Sequence, residues 1–342
     1  MKKLCLALSL AVVGVALAQG SLLINGAGAT FPFPLYSKWF SEYKKLHPNY
    51  EFNYQSIGSG GGIKQITEKT VDFGASDAPL SDAELAKAPG LLNLPTVLGS
   101  VVVAFNVPGV SSLNLSGATL AGIFLGTVSK WNDPAIAKDN PGVKLPDTAI
   151  TAAYRSDGSG TNYVFTDYLA KVSGDFMTKV GVGKSVKWPT GLGGKGNEGV
   201  TGLIKSTPGA LGYVELAYAN QNKLAVAAIQ NPDGAFVKPT IEATSAAAVG
   251  VAVPDDFRIS ITNSPGKGAY PIASFTYLLV YKDQSNKEKG PAVINFLKWA
   301  VTDGEKLAAP LDYAPLPAAV QTKVLATIAT LTVQGAMPSA RK

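Results

Sequence analysis

Residues 22–46 read LLINGAGATFPFPLYSKWFSEYKKL and contain the signals of one complete structural unit. The apolar start, residues 22–24, predicts a buried strand, and the glycine-rich residues 25–29 predict the loop that follows it. Apolar side chains then recur at helical spacing, at Leu35, Trp39, Tyr43 and Leu46. The stretch therefore predicts a strand, a glycine loop and a helix, in that order.

The same order of elements returns farther along the chain. Residues 50–54 alternate as in a half-buried strand and precede the glycine-rich residues 58–62, while residues 73–75 predict a third strand. Residues 150–154 predict another strand, followed by the loop RSDGSGT at 155–161 and by a helix with one apolar face. Strands that alternate with helices predict an α/β fold of mainly parallel sheets flanked by helices.

Two extended stretches, GSVVVAFNV at 99–107 and YPIASFTYLLV at 270–280, are typical of crossover strands. If both connect two lobes, they form a two-stranded hinge that can close a cleft. The predicted division has lobe one at 19–98 plus 277–342, lobe two at 107–269, and crossovers near 99–106 and 270–276. Each lobe is long enough to bury a core of its own.

The N-terminus has the pattern of a secretory signal peptide. Lys2 and Lys3 precede an apolar run over residues 4–17 that ends in a small-residue cleavage site. This run is shorter than the ~20 residues that a membrane span requires. Cys5 is the only cysteine, and it lacks the small-residue box of a lipoprotein. We therefore expect residues 1–18 to be removed and the mature chain to contain no thiol.

Charge and residue types argue against several classes of function. The formal net charge of +6 includes the two lysines of the signal peptide, and the other lysines are scattered, which disfavours nucleic-acid binding. His47, the only histidine, precedes Pro48 at a predicted helix end, where a solvated position is expected. With one histidine and no cysteine in the mature chain, the sequence has too few such residues for a zinc site or a Ser-His triad, and no GxxxxGK[ST] nucleotide-binding pattern is complete. We expect no metal and no cofactor.

Three loops share one design, in which glycines and hydroxyl residues follow a strand and open a helix. They lie at residues 26–31 (GAGATF), 58–62 (GSGGG) and 157–161 (DGSGT). A helix start offers unpaired N–H groups, and glycine allows a close backbone approach. Arg155 adds a fixed partner for an oxyanion, although a surface ion pair with Asp157 is the alternative. Together the loops predict a cage for a tetrahedral anion.

Seven longer segments are more specific than any single loop. They read GAGATFPFPLYSKW, IGSGGGIKQI, VDFGASDAPLSD, IFLGTVSKWNDPAIA, RSDGSGTNYVFTDYL, VKWPTGLGGKGNEGV and PGALGYVELAYA. In these segments the chain resembles the phosphate-binding proteins of bacterial phosphate-specific ABC transporters. The resemblance covers nearly all of the mature chain. It implies a type II periplasmic-binding-protein fold, a periplasmic location and a monomer that carries inorganic phosphate to membrane permease subunits without acting as an enzyme.

The resemblance also implies the residues that hold phosphate. From lobe one these are Thr30 and Phe31 through their backbone N–H groups, Ser59 and Asp77. From lobe two they are Arg155, Ser159, Gly160 and Thr161. Asp157 corresponds to an aspartate that pairs with the arginine and steadies it. The sequence departs from the family at Gly60, where relatives often have a second serine, so no hydroxyl contact is expected there.

Asp77 has an unusual place in this set, because a carboxylate beside an anion is repulsive unless the ligand supplies a proton. Phosphate near neutral pH still carries one, since its second pKa is about 6 to 7, whereas sulfate carries none. An ionised aspartate only accepts hydrogen bonds, so Asp77 would reject sulfate. From the local sequence SDAP alone, capping of the following turn explains Asp77 equally well.

Two other functions are compatible with an anion cage. A secreted phosphatase would use it to bind a phosphoester, but the sequence lacks an evident base, metal cluster or nucleophile motif. A receptor for another oxyanion, such as sulfate or molybdate, would use the same two-lobe fold. Asp77 argues against this second alternative.

Overall fold

The computed structural model describes residues 21–338, so the predicted signal peptide at 1–18 lies outside the described residues. Fourteen strands occur in the described part. They are β1 (Leu22–Gly28), β2 (Tyr50–Ser56), β3 (Phe73–Ser76), β4 (Leu91–Asn106), β5 (Asn114–Leu115), β6 (Thr151–Arg155), β7 (Leu192–Gly194), β8 (Ala210–Glu215), β9 (Ala225–Val226), β10 (Ala228–Gln230), β11 (Phe236–Val237), β12 (Ala273–Tyr281), β13 (Asp283–Gln284) and β14 (Thr332–Val333).

Twelve α-helices accompany the strands of residues 21–338. They are α1 (Phe33–Leu46), α2 (Ser59–Thr67), α3 (Asp82–Lys87), α4 (Gly117–Leu125), α5 (Pro134–Asp139), α6 (Gly160–Val172), α7 (Gly174–Lys179), α8 (Gly196–Ser206), α9 (Leu216–Gln221), α10 (Ile241–Ala246), α11 (Lys289–Ala300) and α12 (Ala318–Ile328). Two short 3₁₀ helices occupy Asp303–Leu307 and Ala309–Leu311. Within these residues, every helix is too short or too polar to cross a membrane.

The main sheet has nine strands, and the predicted α/β fold is confirmed. Its order is β2-β1-β3-β12-β4-β8-β6-β7, with β9 also paired to β4. The outer pairs are parallel, as predicted, whereas the central pairs β3-β12, β12-β4 and β4-β8 are antiparallel. The sheet is therefore mixed. The β-strand pattern of a sequence does not reveal the direction of a partner that is far away in the chain.

Strand β4 is the long central element of this sheet. Its residues 91–100 pair with β12, and its residues 101–106 pair with β8. We call β1, β2, β3, β12 and residues 91–100 the first part of the sheet. The second part consists of β6, β7, β8, β9 and residues 101–106. The partner changes between Ser100 and Val101, inside one continuous run of buried residues.

Local differences from the sequence prediction concern the glycine-rich segments. Strand β1 continues through residues 25–28, which we predicted as loop, because it pairs with β2 over its whole length. Residues 192–194, inside the predicted loop KWPTGLGGKG, form the edge strand β7 beside β6. Pairing with a neighbouring strand overrides the weak strand preference of glycine in both places.

Aromatic side chains fill the space between the first part of the sheet and helices α1 and α11. Phe40 stacks on Phe52 with ring centroids 5.2 Å apart, and Phe296 lies 4.5 Å from Phe52. Trp39 is fully buried and donates its indole N–H to the carbonyl of Gly304 at 2.7 Å. This packing holds α1, and therefore the loop before it, at a fixed position on the sheet.

The spacing of Ser81 and Glu84 predicts a capping box at the start of α3, and the structure confirms it. The Ser81 hydroxyl accepts from the Glu84 backbone N–H at 3.3 Å, and the Glu84 carboxylate accepts from the Ser81 N–H at 2.9 Å. We expect Ser81→Ala to lower the free energy of unfolding by about 1 kcal/mol, whereas Ser81→Gly costs only a few tenths. Urea titration checks this, and equal losses for both variants would contradict it.

Candidate anion-binding site

The eight predicted site residues all lie where strands of the main sheet end or in the first turns of the helices that follow. The first part of the sheet contributes Thr30, Phe31, Ser59 and Asp77. The second part contributes Arg155, Ser159, Gly160 and Thr161. All eight are buried. The structure therefore brings together two groups of residues that are about a hundred positions apart in the chain.

The loops of the two parts touch through their backbones. The Gly60 N–H donates to the Gly158 carbonyl at 2.8 Å, and the Gly160 N–H donates to the Ser59 hydroxyl at 3.0 Å. A Cβ at Gly160 would lie 2.5 Å from both Asp77 Oδ2 and Ser59 Oγ, so no side chain fits there. Gly60 also lies where the two loops meet, and a Cβ added to it would be 3.2 Å from the backbone of Gly158. Glycine is needed because the two backbones approach so closely.

The Ser59 hydroxyl has a defined direction. Its oxygen accepts from the Asp77 N–H at 3.2 Å and from the Gly160 N–H at 3.0 Å. A hydroxyl oxygen has two lone pairs, and both are thereby occupied. The hydroxyl can then interact with a further group only as a donor, which suits an anion.

The Thr30 hydroxyl is likewise left only a proton to donate, because Asn197, a residue that was not predicted from the sequence, occupies both of its lone pairs. The Asn197 backbone N–H and side-chain amide donate to Thr30 Oγ1 at 3.1 and 2.8 Å. The side-chain NH₂ also donates to Thr161 Oγ1 at 3.2 Å, and the side-chain oxygen Oδ1 of Asn197 accepts from the Glu215 N–H. Asn197 is fully buried at the start of α8 and directs threonine hydroxyls from both parts of the sheet.

Arg155 is buried rather than on the surface, with its side chain 1% exposed. Its Nε and Nη2 donate to the two oxygens of Asp157 at 2.8 and 2.7 Å, and the Gly196 N–H also donates to that carboxylate. Burial alone would raise the pKa of Asp157, but the hydrogen bonds and charge of Arg155 hold it below its usual value. The aspartate thus stays ionised and fixes the guanidinium.

The third nitrogen of this guanidinium remains available. Among residues 21–338, Arg155 Nη1 is buried and has no hydrogen-bond partner. A buried donor without an acceptor costs about 1–3 kcal/mol, and more when it is charged. An oxyanion between the two loops would supply that acceptor.

Backbone donors complete one side of the site. Of the hydrogen bonds formed among residues 21–338, none uses the N–H of Thr30 or Phe31 as donor. Ser159 caps the 13-residue helix α6, and its oxygen accepts from the Asn162 N–H at 3.0 Å. The positive end of the α6 dipole lies at Ser59, whose hydroxyl accepts from the N–H of Gly160, the first residue of α6.

Asp77 differs from all these groups because it accepts. One of its oxygens receives the Thr276 hydroxyl at 2.8 Å, from strand β12. Burial raises the pKa of Asp77 to about 7, although the Thr276 hydroxyl and the nearby Arg155 charge act in the opposite direction. Near neutral pH the carboxyl therefore exists in both protonation states. The alternative of a simple turn cap does not account for the bond to Thr276, 199 residues away.

The arrangement combines many donors with one buried acceptor, and comparisons with known proteins place it in a family. A family model described as a PBP superfamily domain matches residues 14–304. The phosphate-binding protein PstS of Pasteurella multocida is 47% identical over 330 residues, which cover 95% of either chain. The chain belongs to the PstS family.

Solved structures share the fold of this chain. A high affinity periplasmic phosphate-binding protein with bound phosphate matches with a TM-score of 0.72 at 23% identity, over 89% of this chain and 93% of that one. An ABC-type phosphate transport receptor from Vibrio cholerae matches with a TM-score of 0.57 at 19% identity, over 86% and 100%. Both likenesses concern the fold of this PstS-family chain.

The titratable residues of this PstS-family member do not assemble into a metal centre in the part of the chain that the structure describes. No group of three or more histidine, cysteine, aspartate or glutamate side chains lies close enough together there to hold a metal ion. His47 is exposed at the C-terminal end of α1, as predicted.

Proposed function

We propose that this chain binds inorganic phosphate with high affinity and delivers it to the membrane permease of an ABC importer. The observation that carries the proposal is the single acceptor, Asp77, among converging donors. Monohydrogen phosphate needs donors for its unprotonated oxygens and one acceptor for its O–H. The PstS-family relatives of this chain are named for binding phosphate.

The binding residues in this proposal are those predicted from the sequence. Phosphate oxygens accept from the Thr30 and Phe31 N–H groups, from Arg155 Nη1, and from the hydroxyl groups of Thr30, Ser59, Ser159 and Thr161. Gly160 takes part through its N–H, which holds the Ser59 hydroxyl in place. The phosphate proton is donated to Asp77. The buried ion pair with Asp157 and the amide of Asn197 support this mode because they orient Arg155 and Thr30 in advance of binding.

We further propose that the two parts of the sheet belong to two lobes that open and close around the ligand. Lobe one would comprise residues 19–98 plus 277–342 and lobe two residues 107–269, with crossovers near 99–106 and 270–276. The change of β4 partner between Ser100 and Val101 supports this division. The ion pair between Lys184 and Glu84, at 2.7 Å, would form only on closure.

In this function the chain acts in the periplasm after removal of its signal peptide, as a monomeric carrier without turnover and without a cofactor. A carrier must bind tightly and still release its cargo. Hydrogen bonds from hydroxyl and N–H groups suit both requirements, because they are lost as soon as the lobes separate. A phosphatase is not favoured, since the named relatives are binding proteins.

Calorimetry of the mature protein, stripped of bound ligand by partial unfolding and refolding, tests the proposal. We expect one phosphate per chain to bind with a large heat signal, and sulfate to compete only weakly. Arsenate, which also carries a proton near neutral pH, should compete. The absence of phosphate binding by properly refolded protein would refute the proposal, and equal binding of sulfate would favour a general oxyanion receptor.

Asn197→Asp should lower phosphate affinity about 100-fold. A carboxylate in place of the amide accepts the protons of Thr30 and Thr161 that the anion needs, and it adds a repulsive charge. Asn231→Asp is a matched control, since Asn231 is a buried asparagine outside the loops of the site. The two variants are compared by calorimetry. An affinity within threefold of wild type for Asn197→Asp would contradict the role of the amide.

A further inference from the structure

Three tyrosines donate to three successive carbonyl groups of the loop after β1. The hydroxyl of Tyr54 donates to the Ala29 carbonyl at 2.8 Å. Those of Tyr218 and Tyr313 donate to the Thr30 and Phe31 carbonyls, each at 2.6 Å. The tyrosines come from β2, from α9 and from the segment after the second 3₁₀ helix. Three distant segments thus converge on the back of one short loop, residues 29–31.

The carbonyls of this loop belong to the peptide units whose N–H groups face the proposed ligand. The Ala29 carbonyl shares a peptide with the Thr30 N–H, and the Thr30 carbonyl shares one with the Phe31 N–H. A donor on the oxygen of a planar amide draws charge from its nitrogen and makes the N–H a stronger donor. The Phe31 carbonyl shares its peptide with Pro32, which has no N–H, so a bond there only holds the loop in place.

Each phenol has one proton, and the distances show where it goes. Tyr218 also lies 3.1 Å from Glu198, and Tyr313 lies 3.1 Å from Glu215, but in both cases the loop carbonyl is nearer. The Phe31 carbonyl can only accept, so Tyr313 donates to it at 2.6 Å, and Glu215 Oε2 is the more distant acceptor of the same hydroxyl at 3.1 Å. Glu215 is fully buried, and burial raises its pKa well above the usual value.

We propose that Tyr54 and Tyr218 are positioning residues that strengthen the Thr30 and Phe31 N–H groups as donors to the bound anion. The proposal rests on phosphate binding at this site. Tyr218 has an additional part, since it follows β8 in the second part of the sheet while Thr30 belongs to the first. Its bond therefore links closure of the site to the donor strength of the loop.

The tyrosines stay protonated over the working pH range. Burial raises the pKa values of Tyr54, Tyr218 and Tyr313 above the usual value of a phenol. Because the phenols stay protonated, the effect of Tyr→Phe substitutions on affinity should be independent of pH between about 6 and 9. The Thr30 carbonyl also accepts the Phe33 N–H at 3.2 Å, so the loop keeps part of its support when a phenol is removed.

The test compares Tyr54→Phe and Tyr218→Phe with Tyr313→Phe and with Tyr168→Phe, a buried tyrosine whose hydroxyl bonds to Gln230, outside the loop. Phosphate affinity and release rate are measured, together with the amide proton shifts of Thr30 and Phe31 in the phosphate complex. We expect a 5- to 10-fold loss of affinity for the first two variants, with faster release for Tyr218→Phe.

The amide shifts separate this role from a purely structural one. The Thr30 amide proton should move upfield in Tyr54→Phe and the Phe31 amide proton in Tyr218→Phe, while Tyr313→Phe and Tyr168→Phe move neither through this effect. Wild-type affinity in the first two variants would overturn the proposal, and so would a loss of affinity without these shifts. A wild-type protein that fails to bind phosphate would instead overturn the proposed function.

Discussion

Asp77→Asn is expected to admit sulfate to the site. A site that loses a required hydrogen bond discriminates by about 10⁴, and we expect the preference for phosphate over sulfate to fall from that order to about 10² or less. The ionised Asp77 carboxylate only accepts, whereas an asparagine amide also donates to an unprotonated oxyanion. Competition calorimetry at pH 9, two pH units above the Asp77 pKa of about 7, measures the change. Unchanged discrimination would defeat this account of specificity.

The pH dependence of sulfate binding gives the same account a second check. Sulfate requires a proton on Asp77, whose pKa is about 7. The apparent Kd for sulfate should therefore be flat below about pH 7 and rise about tenfold per pH unit above it. This slope should vanish in Asp77→Asn. Asp72→Asn, at an aspartate paired with Lys289 outside the site, serves as the control and should keep the slope.

Arg155→Met is expected to weaken phosphate binding about 10³-fold. The substitution removes a buried guanidinium, and charge-assisted hydrogen bonds contribute roughly 1.5–3 kcal/mol each. It also leaves the charge of Asp157 unbalanced beside the anion. Arg155→Lys keeps the charge but lacks the planar fork that Asp157 holds, so its loss should be intermediate.

Lys289→Met provides the matched control for Arg155. It removes the same charge from the protein, but Lys289 pairs with Asp72 outside the site loops and within the proposed lobe one. Its phosphate affinity should stay within about threefold of wild type. Calorimetry of the three variants decides the matter, because a loss below tenfold for Arg155→Met would show that the guanidinium does not bind the ligand.

The fold and the loops of the site follow from local patterns in the sequence. Alternating strands and helices predict the α/β class, and glycines next to Ser59 and Ser159 mark the starts of helices. Such signals span fewer than ten residues. Asp77 is different, because its local sequence suits a turn cap equally well, and only the resemblance to a family indicates ligand binding.

The residues that the sequence did not reveal act over long distances. Asn197 meets Thr30 across 167 positions, and Tyr218 meets Thr30 across 188. Neither residue type is unusual in its own segment, although Asn197 lies in the familial segment VKWPTGLGGKGNEGV. The antiparallel centre of the sheet was missed for the same reason, since strand pairing between remote segments has no local signature.

Because strand β4 runs through both parts of the sheet, neither part can fold with a complete set of strand partners in the absence of the other. The first ten residues of β4 have β12 as a neighbour and its last six have β8, without any linker between them. A fragment that kept the whole of β4 but only one part of the sheet would leave half of this largely apolar strand without its partner, and an unpaired strand is a template for aggregation. Domains joined by a flexible linker can often be expressed separately, but we expect that the two parts of this sheet cannot.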